Sequence, residues 1–151
     1  MTRIPTSALL LGLAGLIPFL WGASSSAGLL LAYMPLTLPP AFTGTAILTA
    51  YGTVILSFMA GVIWGFAAKA QTAWMPLGLA LSTLPALWIF FFSGQPDTTR
   101  LITLVVGFVG LLAIDIACAR KGLAPEWWIP LRLLLTSVVV FCLVIGFLLA
   151  P

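Results

Sequence analysis

Apolar residues run almost unbroken through five stretches of this chain, and polar positions gather with turn-forming residues between them. Segment one covers about residues 6–33, opened by Arg3 and closed by Met34-Pro35-Leu36-Thr37-Leu38-Pro39-Pro40. Segment two covers about 41–68 and stops at Lys69-Ala70-Gln71. Segment three covers about 74–92 and stops at Ser93-Gly94-Gln95-Pro96-Asp97, and segment four covers about 98–119 before Arg120-Lys121-Gly122. Segment five covers about 130–150. Each is long enough to cross a hydrocarbon core of about 30 Å. Inside a bilayer only a helix or a closed barrel satisfies its own backbone groups, and the alternation of a barrel strand is missing. The pattern predicts an all-α integral membrane protein, a single domain over residues 1–151, built as a five-helix transmembrane bundle.

Segment one is irregular. As continuous helix it would extend about 42 Å, more than a perpendicular span needs. Pro18 removes a backbone hydrogen bond, and Gly22 with Ser24-Ser25-Ser26 adds a weak polar stretch. A kinked or tilted helix, or one that unwinds near its outer end, is expected, with a re-entrant hairpin as the alternative. Arg3, the run Ala8–Leu20 and the small residues at Ser24–Ala27 also have the look of a signal peptide. Pro18 and Trp21 favour an uncleaved first span instead.

Composition removes whole classes of function. The 151 residues are 62% hydrophobic and 6% charged, with a mean hydropathy of +1.24. Soluble domains carry roughly a quarter charged residues, so a soluble globular fold is excluded. Histidine is absent, which takes away the usual general base and the commonest metal ligand. Cys118 and Cys142 lie in separate apolar segments without metal-ligand spacing, and read as small buried hydrophobes. No metal site or cofactor is expected. The net charge of +3 is scattered over Arg3, Lys69, Arg100, Arg120, Lys121 and Arg132, so nucleic acid is not an expected partner.

Those charges set orientation instead. With five spans, Arg3, Lys69, Arg120, Lys121 and Arg132 fall on one side, and Arg100, offset by Asp97, on the other. By the positive-inside rule the N-terminus is cytoplasmic and the C-terminus periplasmic. A bacterial inner membrane, or a mitochondrial inner membrane in a eukaryote, is the expected location. Trp74 and Trp127-Trp128 fall beside the basic connections, where amphipathic rings favour the interface.

Few residues can carry chemistry. Asp115 sits five positions before Arg120, roughly 7–8 Å inside the end of its helix. A carboxylate there is costly unless paired, hydrated or protonated. Arg132 lies at similar depth on the neighbouring antiparallel helix, so a structural ion pair is the first reading. A proton relay or substrate-binding Asp is the second. Ser57, Gly61 and Gly65 recur every four residues and line one helix-packing face, first for this bundle and otherwise for another membrane protein. Tyr51, Thr53, Ser57 and Ser24–Ser26 could line a polar cavity, although such hydroxyls more often bond back to the preceding turn. The acids are Asp97, Asp115 and Glu126, and no nucleophile–base pair or phosphate-cradling loop is spaced for catalysis. No enzyme activity is expected.

Three stretches carry a family resemblance. They are Ile4-Pro5 leading into Leu9–Phe19, then Tyr51-Gly52 through Trp64-Gly65, then Arg132-Leu133-Leu134-Leu135-Thr136. In order and spacing they resemble the domain-of-unknown-function 3429 family of bacterial and mitochondrial inner-membrane proteins. Tyr51, Gly52 and Trp64 belong to its most specific block. Members often place a polar or basic residue before that tryptophan, where this chain has Ile63. The resemblance implies membrane topology and location, not a mechanism. Similar length and span count also invite comparison with the tryptophan-rich sensory proteins, but their Trp-Asn-Pro-Pro-like signature is missing. The expected role is therefore a non-enzymatic accessory or assembly subunit of a larger energy-converting membrane complex. The bilayer and other integral membrane proteins are its expected partners. The alternative is a small transporter, channel or lipophilic-ligand binder that uses Asp115 and nearby hydroxyls.

Overall fold

The computed structural model of the chain describes residues 3–28, 39–70 and 72–150. Helices α1 (Thr6–Ala14) and α2 (Ile17–Ser26) together form the first apolar span, followed by α3 (Gly44–Lys69), α4 (Met75–Phe91), α5 (Asp97–Arg120) and α6 (Trp128–Leu148). A single 3₁₀ turn, Pro40–Phe42, precedes α3. No strand occurs among the described residues. Among the described residues four spans are long and apolar enough to cross a membrane, and α4 is a shorter apolar helix of 17 residues, about 26 Å long. The helices form one bundle in which α3 packs on α2, α4 and α5, while α6 packs on α5 and α2.

The break in the first span falls at Gly15-Leu16, two to three residues before Pro18 rather than at it. Pro18 has no N–H and crowds the preceding turn, so the ladder is interrupted upstream of the ring. Leu16 bonds back to Leu13, a tighter turn, and the Gly15 carbonyl accepts from the Tyr51 hydroxyl at 3.2 Å. The part of segment one beyond Gly28 that was read as helix lies outside the described residues.

At the centre, Phe19 stands edge-on to Tyr51 and Phe108, at centroid distances of 5.1 and 6.1 Å. Around it pack Leu48, Leu56, Leu104, Leu111 and Leu143, all fully buried. Helices α3 and α5 interlock by exchange. Leu56 fills the hollow at Gly107, where a Cβ would meet its side chain at 2.6 Å, and Leu104 fills the one at Gly52, at 2.9 Å. Without a hydrophobic force between helices in lipid, such close approach supplies van der Waals contact.

The buried face of α3 runs through Leu48, Gly52, Leu56, Ala60, Ile63 and Ala67. That corrects the expectation that Ser57, Gly61 and Gly65 pack inside this bundle. Gly61 and Gly65 are exposed, with nothing within 4 Å of where a Cβ would stand. The true packing face is one residue, about 100°, around the helix.

Two clasps close opposite ends of the bundle. At one, Trp21 Nε1 donates to the Phe42 carbonyl at 2.9 Å, and the Gly44 N–H donates to Ser25 Oγ at 2.7 Å. Asp97 accepts there from Thr45 and Thr49 of α3 and pairs with Arg100 at 3.1 Å. At the other end, α5 finishes with the Gly122 N–H bonded to Ala119 and the Leu123 N–H bonded to Cys118. Gly122 takes a φ of 71°, the left-handed conformation that this helix ending requires.

Candidate functional site

That glycine ending turns the chain directly from α5 into α6 and sets Asp115 against Arg132. Arg132 Nε donates to Asp115 Oδ2 at 2.7 Å, and Trp128 Nε1 donates to Asp115 Oδ1 at 2.8 Å. Asp115 is 1% exposed and Arg132 2%. Each carboxylate oxygen thus receives one short hydrogen bond, and the two opposite charges neutralise one another out of water. Trp128 and Arg132 are one turn apart on α6, so both reach the same carboxylate. The guanidinium also lies over the Trp128 ring, 5.9 Å from its centroid, and Phe66 meets that ring edge-on at 5.1 Å.

Trp128 is thereby corrected from an interfacial belt residue to a buried donor, 7% exposed. Its signal in the sequence was its position four residues before Arg132. Trp74 remains exposed, and the Lys121 ammonium sits 3.8 Å from the centre of its ring. This contact ties the α3–α4 and α5–α6 connections together at one end, where Lys69 and Ala70 also line a pocket with Gly122–Pro125.

A guanidinium carries five N–H donors, and the carboxylate takes only the one on Nε. Arg132 Nη2 is buried without a hydrogen-bond partner among the described residues, and so is the Thr136 hydroxyl one turn further on. Both residues line a cavity of about 120 Å³, whose remaining lining is apolar and comes from α1, α2, α3, α5 and α6. Thr136 was read only as part of a family-like stretch, and the cavity was not foreseen.

The hydroxyls proposed for a polar cavity are used elsewhere. Ser24 bonds to Leu20, Ser25 and Ser26 bond to Gly22, and Thr53 bonds to Thr49, all main-chain carbonyls of their own helices. Tyr51 closes the break in the first span, and Gly52 receives Leu104. Trp64 lies on the outer surface, half exposed. With Ser57, Ala60 and Gly61 it forms one wall of a groove of about 500 Å³, whose other wall is Ser82, Thr83, Ala86 and Leu87 of α4. Cys118 and Cys142 are both buried and unbridged, and no group of three metal-ligating side chains occurs among the described residues.

Long apolar helices, interlocking glycines and a charge pair sealed between two of them define a multi-pass α-helical membrane protein. The chain belongs to the family described as Protein of unknown function (DUF3429), whose model matches residues 4–148. It is similar to Transmembrane protein 69 of Xenopus tropicalis, with 40% identity over a match 147 residues long that covers 93% of this chain and 53% of that relative. The chain therefore spans about half the length of the curated relative it matches. No solved structure gives a significant match.

Proposed function

We propose that the protein is a non-catalytic docking subunit that binds a transmembrane helix of a larger membrane complex. The observation that carries this reading is the outward-facing groove between α3 and α4. Gly61 offers backbone without a side chain there, Gly65 continues the same open face one turn on, and Ser57, Ser82 and Thr83 supply hydroxyls at the groove's walls. Small residues at four-residue spacing let a second helix approach closely, and hydroxyls add interhelical hydrogen bonds. The charges of Asp115 and Arg132 already neutralise one another between α5 and α6, away from this groove.

The complex is placed in an energy-converting membrane, the bacterial inner membrane or its mitochondrial counterpart. The N-terminus then faces the cytoplasm or matrix, with Lys69, Arg120 and Lys121 on that side. The test pairs a native gel of the gently solubilised, tagged protein with a photo-crosslinking residue at Thr83, on the α4 wall of the groove, or, as a control, at Phe141 on the exposed face of α6. A stoichiometric crosslink from position 83 alone, abolished together with co-migration when Gly61→Leu is added, supports the reading. A lone monomer without crosslinks overturns it.

A further inference from the structure

The cavity beside the ion pair carries an inference that does not depend on the docking groove. Its polar wall is unusual for this protein. Buried Thr49 and Thr103 each bond back to the carbonyl four residues earlier, the ordinary way to satisfy a hydroxyl in an apolar helix. Thr136 does not, and neither does Arg132 Nη2 find a partner. Leaving such groups bare in a buried site is unfavourable, most of all on a charged one. The two stand one turn apart on α6 and line the same cavity, so a single acceptor oxygen between them would satisfy both.

The charge balance fixes the kind of acceptor. Asp115 already neutralises Arg132, so a second anion would bring an uncompensated charge into a dry site. A neutral carbonyl oxygen suits it. The volume bounds the size, since about 120 Å³ is less than the roughly 150 Å³ that accommodates benzene, which limits the occupant to a single small ring. The route is indicated by its rim. Leu11 of α1 and Phe58 of α3 line the cavity and are 75% and 65% exposed on apolar outer faces, so entry lies sideways from lipid.

We propose that this cavity binds an uncharged, carbonyl-bearing molecule of about one-ring size taken from the bilayer. Its oxygen accepts from Arg132 Nη2 and Thr136 Oγ1.

The test uses two small-ring probes of nearly equal shape, cyclopentanone with a carbonyl and methylenecyclopentane without one, added to the purified full chain in detergent. Cyclopentanone at ten times its Kd should raise the Tm by about 3–6 °C, and methylenecyclopentane should bind clearly more weakly. Thr136→Val, which keeps the side-chain shape, should weaken cyclopentanone about fivefold, one hydrogen bond's worth, and leave methylenecyclopentane unchanged. Val139→Phe, which fills the cavity from its lining, should abolish both shifts. Equal stabilisation by the two probes would show an apolar hole without carbonyl recognition and overturn the proposal. No shift with either probe, in a protein that melts cooperatively, would mean that water alone satisfies Arg132 and Thr136, and would overturn it equally.

Discussion

Trp128 and Arg132, one turn apart on α6, hold opposite oxygens of the same carboxylate, at 2.8 and 2.7 Å from Asp115. The pairing is asymmetric in consequence. Removing either charge strands the other in a dry site, whereas removing both leaves only space to fill.

The first prediction is a double-mutant cycle on that pair. Asp115→Leu and Arg132→Met should each destabilise the protein by about 3–5 kcal/mol. The combined variant should recover most of the loss, because no unpaired charge remains. Thermal melts in one detergent measure the cycle, and simple additivity would refute the coupling.

Trp128→Phe separates the indole's donor from its ring. The aromatic contact with Phe66 survives, while Asp115 Oδ1 loses its hydrogen bond. The expected loss is about 1.5–3 kcal/mol, the range for a bond to a charged group. A melting temperature within a degree of the parent would mean that water replaces the indole there.

Gly122→Ala tests the turn that delivers α6 to α5. A side chain at a φ of 71° is strained, and the expected destabilisation is about 1 kcal/mol or more. Gly94, which has open space around it, supplies the comparison. Gly94→Ala should be close to neutral, and a reversed order would place the strain elsewhere.

Orientation is read by thiol accessibility. Both native cysteines are buried, so single cysteines at Ala124 and Ser93 report cleanly in intact cells. A membrane-impermeant maleimide should label Ser93→Cys from outside and reach Ala124→Cys only after the membrane is opened. The opposite pattern would invert the proposed topology.

The sequence made helices legible because charges and turn residues interrupt otherwise continuous apolar runs. The structural starts and ends lie within about three residues of that reading for α3, α4, α5 and α6. The charge pair was legible for a similar reason, since few ionisable residues lie so deep and a short connection joins their helices. Which face of α3 packs was not legible. Lipid is as apolar as the core, so the outer face of a membrane helix has no need of polar residues. Both Gly52–Leu56–Ala60 and Ser57–Gly61–Gly65 repeat every four residues, and nothing along the chain ranks them. Trp128 was hidden by its company, because a tryptophan pair beside a basic connection has the composition of an interface. Thr136 looked like any hydroxyl able to bond to its own helix, and only its missing partner sets it apart.

The Asp115–Arg132 pair also bears on how the chain enters its membrane. Alone, a carboxylate on α5 or a guanidinium on α6 each resists transfer into hydrocarbon by up to about 3 kcal/mol at mid-span. Joined across a connection only seven residues long, Lys121 to Trp127, they present the insertion machinery with a hairpin whose two buried charges cancel. A nascent chain halted after α5 carries that carboxylate into the bilayer with no counter-charge, so the two helices gain by entering together.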